Sequence, residues 1–265
     1  PFYALLFGMM LSDAGYGLVM AIAIPLLVKL KKPGKSNQKL LWVLFFSAIA
    51  TVLCGAVYNT WFAFKLPIKG ILDPIKDPMP VMIVCMGIGV IHLFAGLGVG
   101  AYANIRKGKP MDAVYDQLSW MLAVSGAIML VAGGVVAEIG KWMAIAGVAL
   151  IVLFAGREKK NPFARLAGGL GALYGATSWI SDILSYMRLF GMGLATGVIG
   201  MVINKLVGMV FAGGIVGMII GSVLFVGAHI FNLGINALGA YVHSCRLQYI
   251  EFFGKFYEEG GVAFR

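Results

Sequence analysis

The chain has 265 residues, 60% of them hydrophobic and 12% charged, with a mean hydropathy of +0.91 and a formal net charge of +10. Soluble domains carry about 25% charged residues, so this composition excludes an ordinary water-soluble domain. The positive charge lies in short loops between apolar runs rather than on one solvated basic face, which argues against nucleic acid as a partner.

Several runs exceed the roughly 18 apolar residues needed to cross the hydrocarbon core of a bilayer. The period-2 alternation of a membrane barrel is not seen. The sequence predicts an all-α polytopic membrane protein with about eight transmembrane helices. It starts at Pro1, inside an apolar run and without an initiator Met. The expectation is a membrane domain cut from a longer chain, or the ordered part of one, with a first helix already under way over residues 1–11.

Leu11-Ser-Asp-Ala-Gly-Tyr-Gly17 interrupts that helix. Asp13 is placed to cap the next one, and Gly15 and Gly17 supply turn freedom. A span over Ala14–Leu30 follows, then a loop with five lysines between Lys29 and Lys39. A third span is expected over Leu40–Phe64, ending in an aromatic belt of Tyr58, Trp61, Phe62 and Phe64. After a Pro-rich loop, a glycine-rich fourth span covers Val81–Ala103. The loop from Asn104 to Asp112 carries Arg106, Lys107 and Lys109. A fifth span over Val114–Ala137 is followed by a short loop at Glu138–Lys141 and a brief sixth span, Trp142–Ala155. The next loop, Gly156–Arg165, holds four basic residues.

Two long segments complete the chain, Gly168–Val210 and Ile215–Tyr257, joined by Phe211-Ala-Gly-Gly214. Forty residues of helix extend roughly 60 Å, about twice the bilayer core. The two C-terminal helices are therefore expected to be strongly tilted and to extend beyond the membrane. This divides the single membrane domain, 1–265, into a supporting bundle over 1–165 and a pair of long helices over 166–258. The basic loops at 29–39, 104–112 and 156–165 then share one face with the C-terminus, which the positive-inside rule makes cytoplasmic.

Arg188 stands out in Ser185-Tyr-Met-Arg-Leu-Phe190. Its nearest charges are Asp182, six residues before, and Lys205, seventeen after. An arginine at a membrane-helix centre costs roughly 2.5–3.5 kcal/mol on insertion scales, so a functional reason is sought first. Snorkelling to an interface or pairing with Asp182 is the bland alternative. Arg246, nearer a helix end, snorkels more easily. Polar residues accompany both arginines at helical spacing. Tyr174, Ser178, Ser181, Ser185 and Arg188 fall on one face, as do His229, Asn232, Asn236, His243 and Arg246. Asp182, Thr196, Gln248 and Glu251 lie on the same two segments. Such stripes suit a water-accessible path or a polar protein interface, with interhelical hydrogen bonding as the packing alternative. A phosphate loop, a nucleophile–base pair and a metal cluster are all missing from the sequence. Cys54, Cys85 and Cys245 are scattered in apolar segments with no metal or disulfide spacing.

These segments resemble a known family. Ser185-Tyr-Met-Arg-Leu-Phe190 is similar to the Ser-Tyr-Leu-Arg-Leu segment of the membrane stator subunit of rotary V-type and archaeal-type ATPases, called a in eukaryotes and I in prokaryotes. His243-Ser-Cys-Arg-Leu-Gln-Tyr-Ile-Glu-Phe-Phe-Gly-Lys-Phe-Tyr257 resembles its C-terminal His-x-x-Arg-Leu-x-(aromatic)-Val-Glu-Phe-x-x-Lys-Phe-Tyr signature. Phe7-Gly-Met-Met-Leu-Ser-Asp-Ala-Gly-Tyr-Gly17 resembles an N-proximal turn of the family, and Asp116-Gln-Leu-Ser-Trp120 is typical of its prokaryotic members.

The resemblance implies a stator whose two long helices cup a rotating proteolipid ring (subunit c or K), with one carboxylate per ring subunit. Arg188 would face that carboxylate and Arg246 would be its partner, in the translocation of H⁺ or Na⁺. The chain would hydrolyse nothing itself. The nucleotide sites would lie on catalytic subunits reached through the central stalk, and a preceding cytoplasmic arm would join peripheral stalks. No cofactor or metal is implied. Candidate half-channel residues are Tyr174, Ser178, Ser181, Asp182, Ser185, Thr196, Asn232, Asn236, His243, Gln248 and Glu251. Some proton-pumping relatives have carboxylates where Tyr174 and Asn236 stand, and a histidine where Thr196 stands. Those departures leave Asp182, His243 and Glu251 as the path candidates. The short outer loops suggest a prokaryotic plasma membrane. The rival expectation is a secondary transporter or channel using Arg188 and Arg246 for an anionic substrate.

Overall fold

A computed structural model describes residues 1–67, 70–108, 111, 113–154 and 162–257. Among them the regular secondary structure is all helical, with one isolated bridge, Trp61 to Phe64, as the only extended pairing. The helices are α1 (Phe2–Leu11), α2 (Ala14–Lys31), α3 (Lys35–Tyr58), α4 (Pro78–Arg106), α5 (Ser119–Ala132), α6 (Gly134–Phe154), α7 (Pro162–Ser185), α8 (Met187–Phe211) and α9 (Gly214–Arg246). A π-helical turn, Ala113–Leu118, leads into α5. A second, Leu247–Phe252, continues α9 and runs into the 3₁₀ turn Phe253–Lys255.

This is an all-α membrane protein. Among the described residues, six helical runs are long and apolar enough to span a bilayer, the last two being Gly175–Phe211 and Gly214–Lys255. Phe2–Leu11 and Ser119–Leu130 are apolar but shorter. Large apolar side chains are exposed along the long helices, for example Ile22, Phe46, Ile91, Ile230 and Leu238. That outward apolarity is what lipid demands and water forbids.

Three boundaries differ from the sequence expectation. The third span ends at Tyr58, and Asn59 closes it in a left-handed conformation (φ 54°). Trp61–Phe64 then forms a tight turn instead of a last helical turn. The Glu138–Lys141 loop does not exist: these residues lie inside α6. The break falls earlier, at Gly133 and Gly134, both at positive φ (77° and 65°). Two adjacent glycines reach that conformation without steric cost, whereas Glu138 and Lys141 merely sit on an exposed helix face. The first long segment is interrupted at Tyr186, between α7 and α8. The expected basic loop around 156–165 falls mostly outside the described residues.

The chain forms two compact units, Pro1–Ile88 with Tyr186–Gln248 and Gly89–Ser185 with Tyr249–Arg265. Both long C-terminal segments contribute to both units. In the first unit α1 packs on α3, α8 and α9, α2 packs on α3, and α8 pairs with α9. Close approach is built in: a Cβ on Gly55 would stand 2.1 Å from the Ala14 nitrogen, so α3 can cross the start of α2 only with glycine there. In the second unit α5 and α6 form a hairpin, and α6 packs on α7.

Candidate functional site

The first unit holds a buried polar knot around the α1–α2 junction. Ser12 ends α1 in a left-handed conformation (φ 49°), and Asp13, 1% exposed, caps α2 by accepting from the Tyr16 N–H at 3.1 Å. The same carboxylate accepts the N–H groups of Phe62 (2.9 Å) and Ala63 (2.7 Å). Those two residues have positive φ (51° and 58°), a conformation that costs non-glycine residues free energy. Asp13 thus binds both amides of the turn it holds. Thr60 Oγ1 donates to the Ser12 carbonyl, and Ser12 Oγ donates to that of Gly193 on α8 at 3.1 Å.

A directed hydrogen-bond chain leaves this knot. The Phe62 carbonyl can only accept, so Asn204 gives it Nδ2–H at 2.8 Å and turns Oδ1 to His229 Nε2 at 2.9 Å. His229 therefore carries its proton on Nε2. Its Nδ1 accepts from the Tyr16 hydroxyl at 2.6 Å. Tyr16 Oη accepts from Asn232 Nδ2 at 2.8 Å, and Asn232 Oδ1 from Asn236 Nδ2 at 2.6 Å. His229, Asn232 and Asn236 are 5%, 2% and 3% exposed. Thr196, also buried, donates to the carbonyls of Met192 (3.0 Å) and Met10 (3.5 Å). These side chains are thus engaged inside the first unit. Tyr16 and Asn204 belong to the chain but were not candidates from the sequence. Tyr16 was visible only as a letter of the 7–17 motif.

The arginines behave differently. Arg188 begins α8, half-buried, and Arg246 ends α9, exposed. Both lie close enough to His243 to act on it electrostatically. Three buried polar atoms on these helices and the π-helical turn after α9 lack a hydrogen-bond partner among the described residues: Arg188 Nη1, His243 Nδ1 and Gln248 Oε1. Buried donors and acceptors are satisfied in the great majority of cases, so a run of open ones marks a place where something else is to be met.

In the second unit, Tyr174, Ser178 and Ser181 are exposed on α7, and Ser185 Oγ donates to the Ser181 carbonyl at 3.0 Å. Asp182 is paired with Lys255 at 2.5 Å, so this path candidate has a cation of its own. Lys255 was legible only as part of the C-terminal motif. Glu251, 3% exposed, precedes Phe252, whose ring stacks on the fully buried His92 at 4.6 Å. The described residues hold no cluster of three or more metal-ligating side chains, and all three cysteines are free.

The sequence profile of the V-type ATPase 116kDa subunit family matches residues 177–265, which contain both arginines. The chain is 37% identical to the A-type ATP synthase subunit I of Thermococcus kodakarensis over 99% of its own length and 41% of that relative. It is 30% identical to the A-type ATP synthase subunit I of Methanocaldococcus jannaschii, covering 100% of this chain and 43% of the relative. The V-type ATP synthase subunit I of Borreliella burgdorferi is 25% identical, with 100% and 47% covered. The chain therefore spans less than half the length of these relatives.

Proposed function

The chain belongs to the V-type ATPase 116kDa subunit family, and on that premise we propose that it is the membrane stator of a rotary ATPase, guiding H⁺ or Na⁺ onto and off the carboxylates of a turning proteolipid ring. The observation that carries this reading is the Arg188–His243–Arg246 neighbourhood. It holds two permanent cations and a buried guanidinium nitrogen with no protein partner among the described residues. A carboxylate is the complementary group.

The chemistry follows from electrostatics. A ring carboxylate facing lipid must carry its ion, because an exposed negative charge in hydrocarbon is costly. An opposite charge within about 4–6 Å favours the ionised carboxylate. Arg188 therefore makes the passing group release its ion, and its fixed charge bars direct passage of a cation across the stator. Arginine serves better than lysine because it keeps its charge in a poor dielectric and offers a planar fork of donors. With the basic loops cytoplasmic, ions enter from one face and leave from the other only by travelling with the ring. Catalysis of ATP turnover lies on other subunits of the complex, and the chain contributes none.

The test is ATP-driven uptake by the whole complex in proteoliposomes, with H⁺ and Na⁺ assayed separately. Arg188→Ala is expected to abolish uptake while the complex stays assembled, and the wild-type trace names the ion. Unchanged uptake in Arg188→Ala would overturn the assignment.

A further inference from the structure

The second unit contains an ion pair that the stator reading does not use. Lys255 Nζ lies 2.5 Å from an Asp182 carboxylate oxygen, with side chains only 15% and 19% exposed. The same ammonium sits 4.0 Å from the centroid of the Trp179 ring. Trp179 is itself buried and stacks on Trp120 of α5, at 5.8 Å between centroids and 21° between planes. Lys255 is therefore held by a charge and by a π face, and α5 backs the face.

We propose that Asp182 and Lys255 are positioning residues of the stator, a charged brace between its two long helical segments rather than stations on the ion path. The proposal rests on the stator reading for its functional consequence. In sequence, Asp182 lies six residues before Arg188 and Lys255 nine after Arg246. The brace thus joins the stretch that leads into one arginine to the stretch that leaves the other. Ring passage requires those arginines to be held in place while the ring turns under load, since misplacing a working group by about 1 Å is costly. The turns beside the arginines cannot supply that rigidity alone. α7 gives way to α8 at Tyr186, and α9 passes into a π-helical turn and then a 3₁₀ turn that ends at Lys255. Short 3₁₀ and π-helical stretches often mark hinges or strained sequence, so a tie from outside adds stiffness where the helix is weakest. A carboxylate committed to a neighbouring ammonium is also poorly suited to carry a mobile ion.

The two roles make opposite predictions for the double variant. Removing one partner of a shielded pair strands the other charge, whereas removing both is far milder. Uptake per assembled complex, measured in proteoliposomes, is expected to fall roughly tenfold in Asp182→Asn and in Lys255→Gln. It should return to within about threefold of wild type in the double variant, and stay there in Lys255→Arg. An ion-path carboxylate would give the reverse: Asp182→Asn inactive, Lys255→Gln active, and the double variant as inactive as Asp182→Asn. That pattern would overturn the proposal. If the single variants fail to assemble, the charge-reversed pair Asp182→Lys with Lys255→Asp still decides, because a brace assembles and a path carboxylate does not transport. A further measurement is independent of transport. In complexes with the native cysteines replaced, Asp182→Cys and Lys255→Cys should be joined by a short bifunctional thiol reagent. Failure to join them would remove the brace. Joining them while Arg188→Ala leaves uptake intact would remove the stator reading and leave the brace standing.

Discussion

Two regions of the first unit use the same polar residue types to opposite ends. Around Asp13 the polar contacts are closed: the carboxylate takes three N–H groups, and the chain through Asn204, His229, Tyr16, Asn232 and Asn236 runs donor to acceptor without a gap. Around Arg188 the contacts stay open, with Arg188 Nη1 and His243 Nδ1 unmatched among the described residues. A satisfied network specifies a fold, because every alternative packing breaks several hydrogen bonds at once. An unsatisfied one specifies an encounter. Polar residues in a membrane helix therefore do not all signal transport, and their partners separate the two cases.

The sharpest way to break this comparison is to exchange the phenotypes. Arg188→Ala should remove ion uptake and spare assembly, as set out above. Asp13→Ala should do the opposite. It strands the buried N–H groups of Tyr16, Phe62 and Ala63, at about 1–3 kcal/mol for each, and releases the positive-φ turn at Phe62 and Ala63. The expected result is a complex that melts earlier or loses this chain on purification, measured by thermal stability and subunit content. What does assemble should still transport. Normal stability in Asp13→Ala would show that the knot does not hold the unit together.

A milder intervention sharpens the same point. Tyr16→Phe deletes one hydroxyl, the group that donates to His229 Nδ1 and accepts from Asn232 Nδ2. The ring still packs edge-on to Phe62, at 5.7 Å and 85°. A loss of about 1–3 kcal/mol is expected, seen as a lower melting temperature. Ion uptake below that temperature should match wild type. A transport defect without a stability defect would mean that the Tyr16–His229 link carries ions, and the contrast between the two regions would collapse.

How much of this was legible in the sequence follows from the kind of force involved. Apolar runs announced the membrane class because lipid imposes length and composition on a helix whatever its neighbours. Arg188 drew notice for the same reason, as a charge where charges are expensive, and its role stays a proposal. The Asp13 cap was legible because capping is local. The bonds from Asp13 to Phe62 and Ala63 reach across 49 and 50 residues, and no periodicity reports that. Asn204 and Lys255 were missed likewise: each takes its role from a partner on another segment. The helix break was misplaced because charge at Glu138 and Lys141 was weighed above backbone freedom at Gly133 and Gly134. In the stripe from His229 to Arg246, period alone grouped residues that the structure divides. The first three are buried in hydrogen bonds, and Arg246 is exposed.

The smallest effect lies in the loop after α3, where polar contacts are closed but partly solvated. Burial raises the affinity of the Asp73 carboxyl for its proton. The hydrogen bond from Lys65 and those from the backbone N–H groups of Ile75 and Lys76, with the Lys65 charge behind them, outweigh burial and leave the pKa lowered. A lowered folded pKa means that the stabilisation is complete above the unfolded value of about 3.9 and fades as pH falls through the folded value. Solvent screening keeps it to a few tenths of a kcal/mol, up to about 1. Amide hydrogen exchange at Ile75 and Lys76 should therefore hold steady from neutral pH down to about 4 once intrinsic rates are removed, then lose protection below it. Asp73→Asn should flatten that acid-dependent loss while leaving Tyr16 and Ala63 protected, since among the hydrogen bonds described none joins Asp13, Ser12 or Thr60 to the Lys65–Asp73–Lys76 part of this loop. If acid released the Ala63 amide together with Ile75, the loop and the knot would be a single cooperative element, and the first unit would have one fixed polar region where the geometry shows two.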